Sequence, residues 1–113
     1  MPAYKYTNEL AAYTVARQAA VLAAAKLIEE NPGQWYPCGF SWVKIRPAKG
    51  RFVAMMKDQD IGRTGMEGGY DIYNPSGNAT QWMDAKLAGS KAFVDAIKKF
   101  YPTMDITVQS RID

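Results

Sequence analysis

A chain of 113 residues, 48% hydrophobic and 22% charged, has the size and composition of one globular domain rather than of a disordered segment. Its net charge of +3 is too mild to mark a nucleic-acid binder by itself, and its single cysteine forms no internal disulfide. The absence of histidine removes the commonest general base and, in practice, the conventional zinc sites.

The opening MPAYKYTNEL has no apolar core of the signal-peptide kind, and the apolar run from Ala19 to Ala25 is too short to span a bilayer. With Cys38 as its one thiol, the chain is expected in a reducing cytoplasm and away from a membrane. Asn8 to Glu30 reads as a long helix, because eight of the fifteen residues from Ala11 to Ala25 are alanine, the strongest helix former. Asn8 is the expected N-cap, Glu9 suits the positive end of the helix, and Asn31-Pro32-Gly33 stops it. Small side chains let another backbone come close, either that of the domain body or that of a second copy in a homodimer.

Gln34 to Gly39 reads as a loop entering a first strand, Phe40 to Arg46, which Pro47 ends. A short second helix is expected from about Arg51 to Gln59, with Phe52, Met55 and Met56 as its apolar side. The segment Ile61 to Gly69, with four glycines, is expected to be a mobile connection. A second strand, Tyr70 to Tyr73, precedes the turn Asn74-Pro75-Ser76-Gly77-Asn78. A third helix, capped by Asn78 or Thr80, is expected to run to about Phe100 on a stripe of Ala85, Gly89, Phe93, Ala96, Ile97 and Phe100. Pro102 closes it, and Ile106 to Arg111 forms the last strand.

Residues 1–113 thus read as a single domain, an alanine-rich helix (8–30) followed by a sheet-and-helix body (35–113). The class is α+β or small α/β, in the order α-β-α-β-α-β, with a three-stranded sheet packed by helices. The helix between the last two strands suits a right-handed parallel crossover.

The first strand raises the functional question. Read with a period of two, Phe40, Trp42, Lys44 and Arg46 share one side, while Ser41, Val43 and Ile45 share the other. Extended to all strands, the apolar face also collects Tyr70, Ile72, Ile106 and Val108 and is expected to meet the helices. The second face collects Trp42, Lys44, Arg46, Asp71, Tyr73, Thr107, Gln109 and Arg111, too polar for a core and rich in rings and cations. Lys44, Arg46, Lys49 and Arg51 also fall within eight residues with no acid among them. Bases stack on Trp and Tyr while Lys and Arg take phosphates, so this face suits single-stranded nucleic acid or a nucleotide. The alternative is a half-solvated sheet in which the cations pair with Asp71 and the first helix covers Trp42.

A second constellation lies at the Asn74–Thr80 turn. Ser76 and Gly77 just before a helix start, with Asn74, Asn78 and Thr80 beside them, suggest an anion pocket served by Arg46 or Arg111; the alternative is a capped turn. Cys38 reads more simply as a small buried side chain than as a nucleophile, since only Lys44, Asp71 or Asp84 remain as partners. The carboxylates Asp71, Asp84 and Asp113 would suit Mg²⁺ bound with a phosphate, although their spacing does not require it. No cofactor is called for.

The blocks YPCGFSWV, YNPSG, MDAKLAGSKAF and the terminal SRID resemble blocks in small uncharacterised open reading frames of tailed bacteriophages. The resemblance covers roughly Trp35 to Asp113, leaves the alanine-rich helix outside, and departs at Ser90 and Gln109, where the pattern has small residues. It implies a phage or prophage origin and the host cytoplasm, with no mechanism attached. It draws attention to Asn74, Ser76, Asp84, Lys86, Arg111 and Asp113, polar residues that core packing does not ask for.

The expected function is a small non-catalytic binding protein that recognises a phosphate-bearing ligand, through Trp42, Lys44, Arg46, Tyr73, Asn74, Ser76, Gly77 and Arg111. The alternative is a homo-oligomeric interaction module or host-factor inhibitor that uses the open sheet face or the alanine-rich helix. A Mg²⁺-dependent phosphoesterase stands third.

Overall fold

The alternation of Ser41, Val43 and Ile45 with Trp42, Lys44 and Arg46 forms a strand, and that strand is the centre of the sheet. The computed structural model describes residues 3–113. In chain order its elements are α1 (Thr7–Glu30), β1 (Gly39–Arg46), α2 (Arg51–Asp58), β2 (Arg63–Thr64), β3 (Tyr70–Tyr73), α3 (Met83–Phe100) and β4 (Asp105–Ile112). The class is α+β.

The sheet has four strands rather than the expected three, in the order β2-β3-β1-β4 with every neighbouring pair antiparallel. β3 and β4 therefore run parallel to each other with β1 between them, and α3 makes the crossover. The glycine-rich segment expected as a mobile connection instead forms the β2–β3 hairpin. The Gly65 N–H donates to the Gly69 carbonyl at 2.9 Å, and positive φ at Gly68 (89°) and Gly69 (72°) turns the chain.

The apolar face matches the sequence reading. Val43, Ile45, Tyr70, Ile72 and Ile106 are buried with Phe52, Met55 and Met56 of α2 and Phe93 and Ile97 of α3. Full burial of an aliphatic or aromatic side chain of this size stabilises by about 1.5–3 kcal/mol. Ser41 and Ser90, both buried here, satisfy each other through a hydroxyl contact of 2.7 Å. Ser41 Oγ also reaches the Gln109 carbonyl at 3.0 Å.

The alanines of α1 serve the domain body. Ala12, Ala16, Ala20 and Ala24 recur every fourth residue as one buried stripe. α1 packs chiefly against α3, and Tyr13 meets Phe93 edge-on with centroids 5.8 Å apart. At Gly89 the two backbones come so close that a Cβ would sit 3.3 Å from the Ala20 carbonyl oxygen and 2.8 Å from Ser76 Cβ. The helix begins one residue before the expected cap, at Thr7, with Asn8 inside its first turn and no side-chain cap. Arg51 anchors this end, donating to the Lys5 carbonyl at 2.7 Å and meeting Glu9 at 3.3 Å. No described helix is long and apolar enough to cross a membrane.

Candidate nucleic-acid interface

All three helices pack on the apolar side, so the opposite face of the sheet carries no helix. Strand register sets its rows. Phe40 stands opposite Arg111, Trp42 opposite both Tyr73 and Gln109, Lys44 opposite both Asp71 and Thr107, and Arg46 opposite Asp105. Arg63 joins from β2, opposite Asp71. All of these except Asp105 and Thr107 line a cleft of about 680 Å³, which Met66 and Glu67 at the hairpin tip also border.

The rings and cations are interleaved. Trp42 and Tyr73 stack, with centroids 5.5 Å apart and planes inclined by 28°. The Arg63 guanidinium lies 4.8 Å from the Tyr73 centroid. Arg111 and the Lys86 ammonium lie 5.5 and 5.3 Å from the Phe40 centroid. Lys86 is held there by donating to the Gly39 carbonyl at 2.9 Å. Tyr73 and Phe40 are 48% and 39% exposed, so both present a ring to solvent. Trp42 Nε1 is covered and meets no acceptor among the described residues.

Of the residues expected to bind a ligand, Trp42, Arg46, Tyr73 and Arg111 come together on this face. Lys44 shares it but is occupied. Its Nζ is 2.8 Å from Asp71 Oδ1, as a charge contact off the hydrogen-bond direction, and both side chains are 6% exposed. Nζ also donates to the Gly68 carbonyl, so the hairpin closes over the ion pair. Two glycines make that closure: a Cβ at Gly65 would lie 2.5 Å from Lys44 Nζ, and one at Gly69 would lie 3.0 Å from the Ile45 carbonyl oxygen. Lys44 is thus part of the fold's buried charge pair, as the half-solvated alternative anticipated for Asp71.

The turn residues lie elsewhere. Asn74 (φ +43°), Ser76 and Asn78 bond one another: Ser76 Oγ contacts Asn74 Oδ1 at 3.0 Å, and the Asn78 N–H donates to Ser76 Oγ at 3.2 Å. Ser76 is buried against Gly89 of α3, and Gly77 (φ +66°) lies against the Arg17 guanidinium of α1. The helix expected to begin at Asn78 or Thr80 begins at Met83 instead. Asn78 Oδ1 accepts from the Thr80 N–H at 2.9 Å and Thr80 Oγ1 from the Trp82 N–H at 3.1 Å, so two successive side-chain turns delay it. Ser76 and Gly77 therefore do not form a helix-start anion pocket. Asn74 instead borders a smaller hollow of about 390 Å³ with Arg17, Arg63 and Tyr73, and the last two also line the sheet-face cleft.

Arg63 is not singled out in the sequence, and Lys86, to which the resemblance draws attention, is not placed there among the ligand-binding residues. Arg63 sits in a two-residue strand between glycines, where no periodicity marks it. Lys86 lies on a helix and reaches the sheet only through its length. The Cys38 thiol faces the Trp35 carbonyl at 3.6 Å and Gln81 Oε1 at 3.7 Å, neither of them a base. Asp71 is bound to Lys44, and no cluster of three or more metal-ligating side chains occurs among the described residues. The chain matches no protein-family model, no curated protein and no solved structure, so the functional reading rests on this geometry.

Proposed function

We propose that this chain is a small, non-catalytic binding protein, phage-encoded and acting in the host cytoplasm, that holds single-stranded nucleic acid on the open face of its sheet. The observation that carries this reading is the row Phe40, Trp42 and Tyr73, with an arginine over each outer ring. A base stacked on such a ring contributes about 1–3 kcal/mol whatever its identity. Arg46, Arg63 and Arg111 line the same cleft and take the phosphates. Tyr73 and Arg63 continue the track round the sheet edge toward Arg17 and Asn74. A free nucleotide would engage one ring and one arginine and bind more weakly than a chain of several.

The test is fluorescence anisotropy of labelled oligothymidylate and oligouridylate across a salt series, with a nucleoside monophosphate as competitor. Three phosphate contacts give a slope of log K against log salt of about −2. Absence of binding at low salt, or binding indifferent to salt, overturns the proposal.

A further inference from the structure

The two edges of the sheet are finished differently. On one side β2 ends it after two residues, and its hairpin turns back over the open face. On the other side β4 pairs with β1 at every position from Gly39↔Ile112 to Arg46↔Asp105, and no described strand pairs with its outer edge. Proteins usually protect a long edge with proline, lysine or a bulge, and Asp105–Ile112 has an unbroken register and neither residue. The Asp113 N–H donates to the Cys38 carbonyl, and the Asn74 N–H to the Ser41 carbonyl. The strand alternation then turns the backbone groups of odd-numbered β4 residues toward β1, and those of Ile106, Val108, Ser110 and Ile112 outward.

We infer that β4 pairs antiparallel with β4 of a second copy of this chain, Val108 opposite Val108, joining two sheets across a two-fold axis. Charge complementarity selects the partner and the register. Asp105 then stands opposite Arg111 of the second copy, twice by symmetry, and Thr107 opposite Gln109, all on the open face. On the helix side Ile106 meets Ser110, and Val108 meets itself. Centring the pair on Gln109 instead places Asp105 against Asp113, a like-charge contact; centring it on Thr107 leaves Arg111 opposite Thr103. The outward N–H and C=O groups of Ile106, Val108 and Ser110, otherwise left to water, bond across the seam. Both aromatic rows then lie on one side of a continuous sheet. The inference does not depend on the nucleic-acid reading, since it rests on the edge and not on the face.

Sedimentation equilibrium of the intact chain up to about millimolar concentration reads it directly. The expected mass rises with concentration from 12.6 kDa toward twice that value. Asp105→Arg and Arg111→Asp should each weaken association by about tenfold or more, and the double exchange should restore it. Ser110→Pro removes an outward N–H without touching the β1 ladder and should leave a monomer; it also serves if Asp105→Arg, which faces Arg46 in its own sheet, fails to fold. A single 12.6 kDa species at every concentration overturns the inference. So does a dimer that withstands Ser110→Pro.

Discussion

Tyr73 stacks on Trp42 from the neighbouring strand, with centroids 5.5 Å apart, on a face where neither ring is needed for the core. The two residues are direct cross-strand partners, so the register of β1 against β3 fixes the pair. Cross-strand aromatic pairs contribute only about 0.2–1 kcal/mol to a sheet. Its place on the open face, rather than its contribution to stability, is what the proposed binding role draws on.

Trp42→Ala should weaken oligonucleotide binding by about tenfold, corresponding to the loss of one stacked base at roughly 1–3 kcal/mol. Lys57→Ala removes one positive charge from α2, outside the cleft, and should change the affinity by less than about twofold at moderate salt. Anisotropy titrations of the two variants side by side separate stacking from net charge. A loss at Lys57→Ala with none at Trp42→Ala would mean that only total charge matters.

Arg63→Gln keeps a long polar side chain over Tyr73 and removes the charge. The salt slope should fall in magnitude by about 0.7, one phosphate contact on a single strand, with little dependence on base identity. An unchanged slope would take Arg63 out of the phosphate track.

Much of this site was legible because a strand's period of two is rigid. Once Val43 and Ile45 are assigned to the core, Trp42 and Arg46 must face the other way, and Tyr73 and Arg111 follow by register. The alanine richness of α1 was readable as a surface for close packing, but which alanines form the buried stripe, and that it meets α3, came only from the fold. What the pattern did not reveal depends on contacts between distant segments. Lys44 looked like a free cation until the hairpin of Gly65 and Gly69 closed over it and Asp71. The start of α3 slipped from Asn78 to Met83 because Asn78 and Thr80 bond the backbone two residues on, which propensity alone does not distinguish from capping. β2, two residues long, carries too little pattern to be seen.

The Lys44–Asp71 pair gives a prediction about stability rather than binding. Lys44→Met leaves the Asp71 carboxylate buried without its counter-charge and should cost about 3–5 kcal/mol in urea denaturation. Adding Asp71→Leu should recover most of that loss, because the desolvation penalty then disappears from both sides. Arg46, exposed on the same strand, should cost less than about 1 kcal/mol when changed to Gln. A Lys44→Met variant as stable as the parent would mean that the hairpin does not seal the pair.

Tyr70 gives a prediction about stability at alkaline pH. Its hydroxyl donates to the Ile61 carbonyl at 2.6 Å, tying β3 to the segment that leads into β2. Burial, reinforced by the nearby Asp60 charge, raises its pKa above the ordinary value of 10.0. Tyr101 shifts in the same direction, through burial and the Glu9 charge, partly opposed by Arg51. The folded chain therefore holds these protons more tightly than the unfolded chain. Their stabilising contribution is fully present below about pH 10 and falls as pH rises through the unfolded pKa toward the higher folded one. Tyr70→Phe should cost about 0.5–1.5 kcal/mol at neutral pH through the lost hydrogen bond. It should also lessen the decline above pH 10, with Tyr101 and Tyr4, both likewise raised, supplying what remains. Urea midpoints measured from pH 7 to 11 test both halves: parent and variant curves should converge as pH rises, and parallel curves would show that Tyr70 does not carry the alkaline transition.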